Sequence, residues 1–107
     1  MGRRLGYATV QVMRAVADGV GYGLDVMERT GLPSGTVYPT LGRLEKRGYV
    51  AGRWENEGQA RREGRPRRRY YRLTGAGREA LAEAVRGYRE LANGGAAVPE
   101  GTPAEGR

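Results

Sequence analysis

Thr36, Thr40, Arg43 and Arg47 follow one another at offsets of +4, +3 and +4 within residues 34–47, SGTVYPTLGRLEKR. On a helix those four share one face, with short hydroxyls near its start and guanidiniums further along. Hydroxyls bond phosphate oxygens and base edges, and a guanidinium forks onto a guanine edge or a phosphate. That chemistry suits a helix lying in a DNA groove. Arg43 has both options, guanine O6/N7 or phosphate, and Tyr38 either bonds a phosphate or packs at the edge of the core. An ordinary amphipathic surface helix remains the plain alternative for this stretch taken alone.

A second group of candidate contacts lies further on. Between residues 53 and 72 there are eight arginines, at 53, 61, 62, 65, 67, 68, 69 and 72, against Glu55, Glu57 and Glu63. The local surplus of +5 is most of the chain's formal +7. Arg61, Arg62, Arg65, Arg67 and Arg68 suit backbone phosphates, which position a protein without reading sequence. A solvated, floppy charged loop is the alternative. If about five phosphates are neutralised, log K should fall against log salt with a slope near −4 to −5 per binding unit, and a dimer could double it.

Other chemistries lack their residues. The 107 residues contain no Cys and no His, so disulfides, thiolate metal sites and the commonest general base are absent. No pair of carboxylates stands at a spacing that converges on one site. The chain is expected to be no enzyme and to need no metal or cofactor. No apolar run approaches the roughly 20 residues that span a bilayer, and no signal-peptide core opens the sequence, so a cytoplasmic protein without membrane contact is expected. A pI near 10.4 points to a polyanion as partner. Arg supplies 18 of the 19 basic residues, and with no Ile or Phe part of that preference also fits a GC-rich coding sequence.

These groups need elements to hold them. Leu5, Ala8, Val12 and Val16 predict a first helix over residues 5–18, and Leu24, Val26 and Met27 a short second one over about 22–29. Val37, Leu41 and Leu44 put the core face on a third helix over residues 34–47. Ser34 is its expected N-cap, Pro39 an expected kink or 3₁₀ turn, and Gly48 its left-handed C′ residue. Residues 49–57 and 68–73 alternate as strands, with Trp54 and Tyr71 assigned to the core. Residues 58–67, GQARREGRPR, are expected to be a loop. Thr74 should cap a last helix running to about Ala92, and residues 93–107 should be a disordered tail.

Helix, helix, helix, strand, loop, strand, helix is the order of a winged helix-turn-helix, a mainly helical α+β fold. Its third helix enters the major groove and its hairpin wing reaches the backbone or minor groove. Residues 1–92 would form that DNA-binding domain, with the C-terminal helix from about 74 serving dimerisation. Leu5, Val12, Val16, Leu81, Val85, Tyr88 and Leu91 are the expected dimer interface.

The chain also resembles the PadR family of winged-helix transcriptional regulators over roughly residues 9–91. Carrying the resemblance are ADG with YGL (17–19, 22–24), SGTVYPTL with RLE (34–41, 43–45), GYV (48–50), WE (54–55) and RYYRLT with AGR (69–74, 76–78). The GTVYPTL segment paired at this distance with YYRLT is specific; either alone is weak. The resemblance implies a homodimer on a roughly palindromic operator that usually represses, released by a small, often aromatic effector or a partner signal. It places DNA contacts on Thr36, Tyr38, Pro39, Thr40 and Arg43, to which Ser34 and Arg47 on the same helix are added as candidates, and the wing on the five arginines above. Pro33 stands before Ser34 where the family commonly has Ser-Pro-Gly, and the chain looks like a short form without a large C-terminal domain. The alternatives are a non-regulatory nucleic-acid binder, architectural on DNA or associated with RNA, and a small-molecule sensor using the winged helix as a dimer scaffold.

Overall fold

The computed structural model describes residues 5–94. Seven elements follow in order: α1 (Tyr7–Ala17), α2 (Gly23–Thr30), α3 (Ser34–Lys46), β1 (Val50–Trp54), α4 (Glu57–Arg62), β2 (Arg69–Leu73) and α5 (Gly75–Ala92). This is the mainly helical α+β winged helix-turn-helix expected from the order of elements. The tail beyond residue 94 lies outside the described residues.

The core forms where the apolar stripes of the first three helices meet. Met13, Val12, Val26, Val37, Leu41 and Leu44 are at most 1% exposed, and Val50, Leu73 and Leu81 close the cluster. Val37, Leu41 and Leu44 face inward as their +4, +3 spacing requires. At the end of α3, Gly48 takes φ +79°. The Tyr49 amide bonds the Leu44 carbonyl and the Gly48 amide that of Glu45, 2.9 and 3.0 Å, closing the helix in a Schellman turn. Thr74 caps α5 as expected: its hydroxyl accepts from the Gly77 amide at 3.0 Å and donates to the Gly48 carbonyl at 2.6 Å.

The expected Ser34 cap and the expected 3₁₀ turn at Pro39 are both absent from α3. Pro33 occupies the N-cap position and Ser34 is already helical, with no side-chain cap bond. Pro39 sits inside a continuous α-helix with no 3₁₀ turn.

The strands pair antiparallel, with Val50 opposite Leu73 and Trp54 opposite Arg69. A bridge from Tyr22 to Tyr70, with Tyr71 donating to the Gly21 carbonyl at 2.9 Å, ties the α1–α2 turn to the hairpin. The alternation places Val50, Gly52 and Trp54 on one face, but the hairpin projects past the core before it reaches Trp54. Trp54 is 54% exposed, not a core residue. Tyr71, nearer the base, does pack on the core.

The loop expected at residues 58–67 contains α4 instead. Asn56 accepts from the Gln59 amide at 3.2 Å and Ala60 is buried. Six residues with a single small apolar anchor leave no periodic trace in the sequence. Cap and tertiary contacts, not an apolar stripe, support this turn of helix.

α5 packs along α1, with Tyr88 donating to the Leu5 carbonyl at 2.8 Å and meeting the Tyr7 ring edge-on. Val12, Val16 and Leu81 are buried inside this single chain, so they cannot supply the surface of a dimer seam. Leu5, Val85 and Tyr88 are half-buried against the core, and Leu91 is exposed.

Candidate nucleic-acid interface

An α-helix offers its partner the stripe opposite its core face, and on α3 that stripe is Gly35, Pro39, Gly42 and Lys46, all exposed. The predicted stripe of Thr36, Thr40, Arg43 and Arg47 is offset from it by one residue throughout, about 100° around the helix. That rotation turns it toward the start of α1. Thr40 is only 2% exposed and accepts from Arg43 Nη2 at 3.2 Å, which rules it out as a direct groove contact. Thr36 is half-buried, while Arg43 and Arg47 remain exposed. Beside them lies a cleft of about 140 Å³ lined by Thr9, Thr40, Arg43 and Arg47 among others.

Lys46 and Gly42 escaped the sequence reading, which followed hydroxyls and arginines. Gly42 has open space around the position a Cβ would occupy. A helix-interior glycine is less stable than alanine by about 0.5–1 kcal/mol, and nothing inside this chain requires one here. Tyr38, 45% exposed, lies with its ring against Gly23, where a Cβ would collide with it. It therefore sits at the α2–α3 elbow beside the outward stripe, exposed and not in the core.

The wing sorts its arginines by partner. Arg65 forks onto Glu55, Nη1 to Oε1 at 2.6 Å and Nη2 to Oε2 at 2.7 Å, and also pairs with Glu63. Glu55 is 6% exposed and accepts a further bond from the Arg68 amide. The Arg65 bonds hold the Glu55 carboxyl down from 4.5 to about 2, against the opposing effect of burial. Arg65 is thus an internal fastener, not a free phosphate contact. No sequence signal distinguishes it from its neighbours, and neither the strand pattern nor the WE motif at 54–55 marks Glu55 as its partner.

Arg61 and Arg62 project from α4 and are exposed; Arg61 lies 4.0 Å from Glu57, and Arg62 donates to Gln59. Arg67 donates to the Glu55 carbonyl at 3.0 Å and stacks on Trp54 at 5.6 Å. Arg68 is half-buried, its guanidinium 4.4 Å from the Tyr22 ring centre. Arg69 crosses from Trp54 to Glu45 on α3, where Nη2 meets Oε2 at 2.6 Å. The wing is thereby tied to the helix whose outward stripe it flanks. Such cation–aromatic stacks hold guanidiniums in place without neutralising them.

Among the described residues no group of three or more side chains could hold a metal ion, and no helix is long and apolar enough to cross a membrane.

Solved structures share this arrangement. A PadR-like transcription factor from Bacteroides fragilis is 27% identical with a TM-score of 0.67, covering 79% of this chain and 82% of its own. A PadR family regulator from Eggerthella lenta is 26% identical with a TM-score of 0.63, covering 85% and 82%. BpsR of Bordetella bronchiseptica, whose DNA binding is regulated by 6-hydroxynicotinic acid, shares the fold at 24% identity and a TM-score of 0.66, covering 95% and 71%. No curated protein sequence matches the chain. The sequence profile of the PadR-like transcriptional regulators matches residues 12–83, two-thirds of the chain and the whole of α2, α3 and the wing. The chain belongs to the PadR-like family of transcriptional regulators, a family of DNA-binding winged-helix proteins and not of enzymes.

Proposed function

We propose that this regulator is a sequence-specific binder of double-stranded DNA that acts as a homodimer on a palindromic operator, most simply as a repressor. The observation that carries the proposal is the outward stripe of α3, where Gly35, Pro39 and Gly42 leave the backbone bare next to Lys46 and beside a basic wing. A helix that keeps glycine where its own packing does not need it is shaped for close approach by something else. A base-pair edge in the major groove is such a partner. The wing supplies the sequence-independent attraction through Arg61, Arg62 and Arg67. In the dimer, Leu91 and Tyr7, 46% and 68% exposed, join the half-buried Leu5, Val85 and Tyr88 at the seam.

Selection from a randomised duplex pool tests this. A recovered palindrome that outcompetes random duplex and structured RNA is expected. Equal affinity for all three would leave only a non-regulatory nucleic-acid binder.

A groove favours a second reading, in which a small organic anion controls binding. Between α1 and α5 a space of about 350 Å³ has an apolar floor of Leu73, Leu81 and Val85 and a rim of Arg14, Arg78, Arg86 and Arg89. That combination suits a ligand with an apolar ring and a carboxylate. Release of DNA by 6-hydroxynicotinic acid, abolished in Arg86→Ala, is its test.

A further inference from the structure

Arg43 and Arg47 stand one turn apart on the flank of α3, where they share the 140 Å³ cleft with Thr9 and Thr40. The hydrogen bond to the buried Thr40 hydroxyl draws the Arg43 guanidinium along this flank and away from the outward stripe. Arg47 is steadied by the Tyr49 ring, 5.9 Å from its guanidinium carbon. Among the described residues neither arginine is ion-paired, and no carboxylate lines the cleft. Two unneutralised guanidiniums facing one small polar space repel each other, and an anion between them removes that repulsion. Forked N–H donors match the two free oxygens of a phosphodiester. The cleft lies about 100° around α3 from the stripe turned outward, on the side where a helix in the major groove passes the sugar–phosphate wall.

We infer that this cleft seats one backbone phosphate of the bound DNA, so that Arg43 and Arg47 set the depth and register of α3 in the groove. Base discrimination then falls to Lys46 and to the bare backbone along Gly35, Pro39 and Gly42. The inference rests on the DNA-binding proposal above and deepens it. It makes Arg43 a phosphate anchor and not a reader of guanine.

The experiment uses the full chain and the duplex recovered by selection, with single methylphosphonates placed along each strand to remove one charge at a time. In the wild type, one position per half-site should weaken binding sharply. In Arg43→Ala that same position should lose much of its effect, with Arg47 carrying the remainder, and affinity for selected and random duplex should fall by one common factor. The slope of log K against log salt should drop by about 1 per chain when both arginines are removed, since they share one phosphate. Arg47→Ala should repeat the pattern at the same phosphate, whereas Lys46→Ala should change the selected consensus. A consensus altered at one base pair by Arg43→Ala, with undiminished sensitivity to every methylphosphonate, overturns the assignment while leaving DNA binding standing. A wild-type chain that binds no duplex removes the DNA-binding proposal, and this one with it.

Discussion

Arg65 grips Glu55 with both terminal nitrogens, 2.6 and 2.7 Å from the two carboxylate oxygens, at the far end of the wing's strands. The pair joins the end of β1 to the chain just past α4. It converts what would otherwise be a long charged loop into a folded tip. Arg61 and Arg62 are carried on that tip, so the fastener determines where their exposed charge stands.

The wing should therefore open in acid. Glu55 titrates near 2 in the folded chain against an ordinary 4.5, so its contribution to stability is complete above about pH 4.5 and lost as pH falls toward 2. Trp54, the sole tryptophan, sits next to Glu55 between Arg67 and Arg69 and reports on the wing. Its emission should change across that window. Glu55→Gln should show the changed emission already at neutral pH. Emission in Glu55→Gln identical to wild type at neutral pH would dismiss the fastener.

Removing charge from the tip should separate affinity from stability. Arg61→Ala with Arg62→Ala should reduce the salt slope by about 2 per chain while melting stays within about 0.5 kcal/mol of wild type, since both side chains are exposed. Arg65→Ala should instead disturb the Trp54 signal, because it leaves a buried carboxylate unpaired. Salt-dependent binding isotherms and thermal melts check the contrast.

Gly42→Ala should stabilise the protein and impair it. The new methyl meets nothing within the chain, so helix propensity alone predicts a gain of about 0.5–1 kcal/mol in a denaturant melt. Affinity for the selected duplex should drop at the same time. A variant more stable and equally tight would show that the outward stripe does not meet the bases.

Two leucines on α5 should answer differently to a charge. Leu91→Asp should shift sedimentation toward the monomer with helicity retained, since this side chain is 46% exposed. Leu81→Asp, at a site 8% exposed, should unfold the chain, with a cost of several kcal/mol for an unpaired buried charge. Measuring mass and circular dichroism on both separates seam from core.

The spacing of Val37, Leu41 and Leu44, the glycine at 48 and the threonine at 74 were enough to place α3, its end and the start of α5, because each acts through local geometry. The paired motifs of α3 and β2 and the arginine surplus were enough for the family and its polyanionic partner. Tertiary structure alone decided which flank of α3's polar surface is covered by a neighbour. An apolar stripe defines only the buried side of a helix; what covers the remainder depends on which neighbour packs beside it. Here Thr40 is buried on the flank facing the start of α1 and its hydroxyl holds Arg43 there, leaving Gly35, Pro39, Gly42 and Lys46 outward. The same holds in the wing, where nothing local separates Arg65 from Arg61 and Arg62. Only the return of the chain past α4 brings Arg65 onto Glu55, ten residues away, and makes one arginine a fastener while the other two remain exposed.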